Sequence, residues 1–215
     1  MFKNAYEGVS RIYKAVILSL IATVLILVGG IMGISGTAAG AAAASESSLV
    51  IAGIVAIIAV ILMIIAEVIN IIGVNRASKD EPAFKNALIA LLVGIVSNIL
   101  ISCFSSNSAV SSIGKSITNI TEILASYYIC TGIINLADRL NDAGMSARGR
   151  KIRSLLMGIW IAAAVMNLVT ILSGTNQTML FIIGLIAVIG GICSIVAYFL
   201  YFGLLGRAKQ MLAAK

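Results

Sequence analysis

The chain has 215 residues, of which 60% are hydrophobic and 11% charged, with a formal net charge of +7 and a mean hydropathy of +1.11. Soluble domains carry roughly a quarter of their residues as charge, so this composition excludes a water-soluble globular domain. The absence of histidine removes Ser-His and zinc-protease chemistry and histidine phosphotransfer. The three cysteines, Cys103, Cys130 and Cys193, form no CxxC pair and sit in apolar sequence, as packing residues rather than a disulfide or metal framework.

In chain order, "MFKNAYEGVSRIYK" (1–14) reads as an interfacial lead-in helix, with Phe2, Tyr6, Val9 and Tyr13 on one face and Lys3 and Lys14 nearby. Six apolar runs follow, at 15–34, 49–74, 87–104, 116–137, 154–173 and 178–203. Each approaches the roughly 20 residues that cross about 30 Å of hydrocarbon. The first has too long a charged lead-in for a cleavable signal peptide and is expected to stay in the membrane. None alternates as a barrel strand must, and backbone groups in lipid have to be satisfied within their own segment. The predicted fold is therefore all-α: a polytopic transmembrane bundle of six spans in a single membrane domain, 1–215.

The second run encloses Glu67, whose charge at a helix centre costs roughly 2.5–3.5 kcal/mol on insertion scales. After it comes "RASKDEPAFK" (76–85), where Asp80 or Glu81 is expected to cap the third helix and Pro82 to occupy its first turn. The fourth run is the polar one, carrying Thr118, Asn119, Thr121, Glu122, Ser126, Thr131 and Asn135, and is expected to pack centrally, with Glu122 near the outer interface. In "ADRLNDAGMSARGRKIR", Gly144 is expected to end the fourth helix and Ser146 to cap the fifth. Tyr198, Phe199, Tyr201 and Phe202 form an aromatic belt near the end of the sixth.

Every basic residue except Lys115 falls in the N-terminus, the second and fourth connectors or the C-terminus. Cytoplasmic loops collect Lys and Arg, so both termini are expected in the cytoplasm, with the spans arranged as three hairpins. The even helices end alike, in "GVNRASKD", "NLADRLND" and "GLLGRAKQ". That pattern suits either a hairpin repeated about the membrane normal or any six-span chain obeying the positive-inside bias. "RASKDEPAFKNALI", "NLADRLND" and "GRAKQML" together resemble small, uncharacterised six-helix bacterial integral membrane proteins. The resemblance implies a bacterial cytoplasmic-membrane setting and brings no activity with it.

Two sets of residues are candidates for function. Taking about 1.5 Å per helical residue, Glu67, Asn98 and Asn167 lie roughly 11, 17 and 20 Å from the cytoplasmic helix ends, with Tyr128 near the level of Glu67. Lipid satisfies neither amides nor carboxyls, so these four are expected to form a buried, ligand-binding cluster. Arg148, Arg150, Lys151 and Arg153 are expected to contact anionic lipid headgroups. Gly29-x-x-x-Gly33 and the glycines Gly184, Gly190 and Gly191 offer small faces for packing or dimerisation. No nucleophile–base set, metal cluster or cofactor motif is visible, so neither enzymatic activity nor a cofactor is expected. Two functions stay open: a transport-related protein (a small solute carrier or a transporter's substrate-capture subunit), or a non-catalytic scaffold or partner subunit of a membrane complex. The expected partners are the bilayer, its anionic lipids, and other subunits or a second copy, with no nucleic acid.

Overall fold

The computed structural model describes residues 2–38, 46–103, 108–173 and 177–214; the side chains of 31–49, 102, 104–116, 119, 160, 163–192 and 194 lie outside that description. The described residues fall into six α-helices: α1 (Lys3–Ala38), α2 (Glu46–Ala77), α3 (Ala83–Cys103), α4 (Ser108–Arg139), α5 (Ala143–Ser173) and α6 (Gln177–Ala213). Each helix packs on the next in sequence, and α1 also meets α6. Among the described residues four stretches are long and apolar enough to cross a membrane: Lys3–Gly30, Val50–Ala77, Ala83–Ile101 and Ile120–Arg139. The chain is thus an all-helical membrane protein. The fifth and sixth predicted spans fall on α5 and α6, where most of the side chains concerned lie outside the description.

The tightest packing lies at the end of the bundle that gathers the charged connectors. There Val9 and Ile12 of α1, Val74 of α2, Phe84 of α3, Ile133 and Leu136 of α4, and Leu204 and Leu205 of α6 are fully buried. The lead-in residues belong to this core: α1 runs unbroken from Lys3, and Ala5, Val9 and Ile12 turn inward. The reason is the size of their neighbours. A Cβ on Gly8 would stand 2.5 Å from the Gly73 carbonyl oxygen, and one on Gly73 would stand 2.9 Å from that of Gly8, so α1 and α2 touch backbone to backbone. Farther along, α2 exposes Ile54, Ile57, Ile61, Ile64 and Val68. Lipid serves such side chains as well as a protein core does, and only close small-residue contacts and polar bonds distinguish one packing from another.

Polar bonds hold the charged end together. Asp80, expected to cap α3, instead reaches the start of α1: its Oδ2 accepts the Ala5 N–H at 2.7 Å and its Oδ1 the Asn4 amide at 3.0 Å. Its negative charge lies at the positive end of the α1 dipole. Glu81 is 2% exposed. Its Oε1 accepts from Asn135 Nδ2 at 2.8 Å, and its Oε2 lies 3.1 Å from Arg139 Nη2, an ion-pair contact outside hydrogen-bonding angles. Arg76 pairs with Glu7 at 2.5 Å, tying α2 to α1. The stretch 76–85 therefore links α1, α2, α3 and α4, besides turning the chain. Pro82 precedes the first residue of α3, as expected.

The α4–α5 turn is built from different residues than expected. Asn141 has a φ of 54°, the Asp142 N–H bonds the Ala137 carbonyl at 2.9 Å, and the Asn141 N–H bonds that of Asp138 at 3.1 Å. This is a Schellman closure, with asparagine in the left-handed position usually given to glycine. Asp142 then caps α5, its Oδ1 accepting the Met145 N–H at 2.9 Å. Gly144 and Ser146, two residues later, lie within α5. On α6, two aromatics of the expected belt turn inward: Tyr198 donates to the Val16 carbonyl at 2.9 Å, and Phe202 stacks on Tyr13 at 4.7 Å.

Candidate intramembrane polar site

Glycines fix the register of α3 against α4. A Cβ on Gly132 would lie 2.5 Å from the Phe84 ring, and one on Gly94 would lie 2.6 Å from Thr121 Oγ1. Beyond them Thr118 Oγ1 donates to Asn98 Oδ1 at 3.0 Å. The two helices thus run antiparallel with residues 84, 94 and 98 beside 132, 121 and 118. At about 1.5 Å per residue, Glu122 stands about 15 Å into the bundle from the Phe84–Gly132 level. Glu67 stands about 15 Å from the end of α2 at Ala77. The two carboxyls lie within range of each other's charge, Glu67 half-buried and Glu122 more exposed.

Helix α4 extends to Arg139 and is pinned there by Glu81. The register of α4 against α3 follows from contacts between the two helices. The signal that locates it is the glycine pair, Gly94 on α3 and Gly132 on α4, each taking a large or polar side chain from the opposite helix.

Of the four residues expected to cluster, Glu67 lies within range of the Glu122 charge and Asn98 accepts from Thr118, while Tyr128 lies edge-on to Tyr127 with centroids 5.5 Å apart. Asn167 belongs to α5, with its side chain outside the described residues. Of the four basic residues expected at headgroups, two are engaged within the bundle. Arg150 bonds Ser146 Oγ at 2.7 Å and pairs with Asp138 at 3.4 Å. Arg153 crosses to α4, donating to Thr131 Oγ1 at 3.1 Å with its guanidinium 5.1 Å from the Tyr127 ring centroid. Beside it lies a cavity of about 10 Å³, lined by Ser126, Tyr127 and Leu156 among others, the size of one water. Arg148 and Lys151 are exposed. Among the described residues no group of three or more His, Cys, Asp or Glu side chains could hold a metal ion.

Compared with protein-family models, curated proteins and solved structures, the chain matches none.

Proposed function

We propose that this membrane protein is transport-related, a small carrier or the substrate-capture subunit of a transporter, with Glu67 and Glu122 as its paired acidic site. The observation that carries this reading is that Glu67 and Glu122, carboxyls on two different apolar helices, lie within range of each other's charge. Each ionised carboxylate at a helix centre costs roughly 2.5–3.5 kcal/mol to insert, and like charges in a low dielectric add to that cost. A positive partner offsets both terms, whether a coupling proton or a protonated amine on a solute. The Asn98–Thr118 pair, with Thr118 about one helical turn from Glu122 on α4, supplies neutral hydrogen-bonding groups. In this reading the three hairpins surround the site, the charged end faces the cytoplasm of a bacterial cell, and the chain performs no covalent chemistry.

The scaffold alternative draws less support. Its warrant is the glycine faces and the basic cytoplasmic rim; of these, Gly29 packs against α2, where a Cβ would meet Val55 at 3.4 Å.

The test uses the full chain in proteoliposomes. A panel of radiolabelled primary and quaternary amines is offered under an imposed pH gradient, and carbodiimide labelling of the two carboxyls is followed by mass spectrometry as a function of pH. Uptake of at least one amine is expected, abolished by Glu67→Gln and by Glu122→Gln. Each substitution should also shift the pH profile of labelling at the other carboxyl. No uptake, together with labelling profiles indifferent to the opposite substitution, would return the chain to the scaffold class.

A further inference from the structure

At the charged end, on the surface between α1 and α2, an open hollow of about 270 Å³ is lined by Arg11, Ile72, Asn75, Arg76 and Lys79. It is separate from the Glu67–Glu122 site and from the Arg148–Arg153 cluster. Its charge is unbalanced. Arg76 is paired with Glu7, whereas neither Arg11 nor Lys79 has a side-chain partner among the described residues. Asp80, the nearest acidic residue in sequence to Lys79, is committed to the Asn4 amide and the Ala5 N–H. Two cations without a side-chain partner among the described residues, Arg11 on α1 and Lys79 in the turn after α2, thus line one cavity with a planar guanidinium fork and a point-like ammonium. That combination suits the oxygens of a phosphate group.

The wall of the hollow identifies what carries the phosphate. Ile72 is 43% exposed at its edge, and Val68, Ile65 and Ile61 continue from it along α2, each also exposed. Spacings of four, three and four residues put these side chains on one helix face. An apolar track therefore leaves the cationic hollow in the direction of the hydrocarbon. A free phosphate has no use for such a track; an acyl chain lies along it. We propose that this hollow is a binding site for one anionic phospholipid, its phosphate between Arg11 and Lys79, its headgroup hydroxyls within reach of Asn75, and an acyl chain on the Ile72–Ile61 face. A zwitterionic headgroup would bring its own cation beside Arg11 and Lys79 and is disfavoured.

Native mass spectrometry of the detergent-extracted full chain, titrated with dioleoyl phosphatidylglycerol or dioleoyl phosphatidylcholine, tests this. The wild type should retain one phosphatidylglycerol in preference to phosphatidylcholine and gain thermal stability from it. Arg11→Gln/Lys79→Gln removes no side-chain bond among the described residues, so the unliganded melting temperature should stay at the wild-type value. Its affinity for phosphatidylglycerol should fall roughly thirtyfold, taking about tenfold for each 1.4 kcal/mol and on the order of 1 kcal/mol for each basic side chain. Lys85→Gln/Arg207→Gln removes the same charge from exposed positions at the same end and should change the affinity severalfold at most. Equal losses in the two double variants, or no loss in the first, would overturn the site. Millimolar inorganic phosphate should neither displace the lipid nor raise the melting temperature. Phosphate stabilising the protein as well as phosphatidylglycerol does would overturn the lipid assignment in favour of a soluble anion.

Discussion

Glu81 lets the contribution of the charged connector be measured. Its carboxylate is almost fully buried and accepts the Asn135 amide at 2.8 Å, while Arg139, 3.1 Å away, keeps half of its side chain in solvent. Glu81→Ala removes a charge-assisted hydrogen bond, a loss of roughly 1.5–3 kcal/mol. The ion pair adds at most about 1 kcal/mol, because a half-exposed guanidinium is screened and rehydrates when its partner goes. The sum, about 2–4 kcal/mol, falls below the cost of breaking a pair buried on both sides. Glu81→Gln keeps an acceptor for Asn135 and loses only the charge, so it should cost about 1–2 kcal/mol. Arg139→Ala should be costly in the wild type, where it leaves a buried carboxylate without its cation, and nearly neutral in the Gln variant. Equilibrium unfolding in mixed micelles, titrated with sodium dodecyl sulfate and followed by circular dichroism, gives these differences directly. An alanine variant within about 0.5 kcal/mol of wild type, or a Gln variant as unstable as it, would refute the assignment of Glu81 as the buried link between α3 and α4.

Other substitutions probe the same end of the bundle. Asp80→Ala should release the first turn of α1 at a cost of about 1–2 kcal/mol, and hydrogen exchange should accelerate at the start of α1 with α3 unaffected. Gly8→Ala places a methyl against backbone atoms 2.5 and 2.6 Å away and should cost about 2 kcal/mol or more in thermal unfolding. Gly30→Ala, whose Cβ meets nothing within 4 Å, should be neutral or stabilising by up to about 1 kcal/mol. At Asn141, with a φ of 54°, glycine should be tolerated and valine should cost about 1–2 kcal/mol by the same measurement.

The membrane class, the helical fold and the positions of the described spans were legible in the sequence. They depend on properties of single segments: apolar length, and the requirement that backbone groups in lipid bond within their own helix. The segregation of basic residues to alternate connectors was legible for the same reason, and Pro82 marked the start of α3. Contacts between segments were not legible. Asp80 looks like a local cap, and nothing near it in sequence shows that the start of α1 supplies the N–H it accepts. The α4–α5 turn closes on Asn141 rather than Gly144 because asparagine tolerates the left-handed conformation well enough for packing to choose between them. Gly29 and Gly33 drew attention as a motif, yet among the described residues the close backbone crossing is made by Gly8 and Gly73, which follow no repeat within either helix. Glu67 was legible as a costly carboxylate. The position of α4 in the bundle is set by where it is anchored, and that anchor is the contact of Asn135 and Arg139 with Glu81, 54 residues from Asn135 in sequence. In a solvent as apolar as the side chains it dissolves, hydrophobicity places helices in the bilayer and leaves their register to glycines and a few polar bonds, and these act across the sequence, not along it.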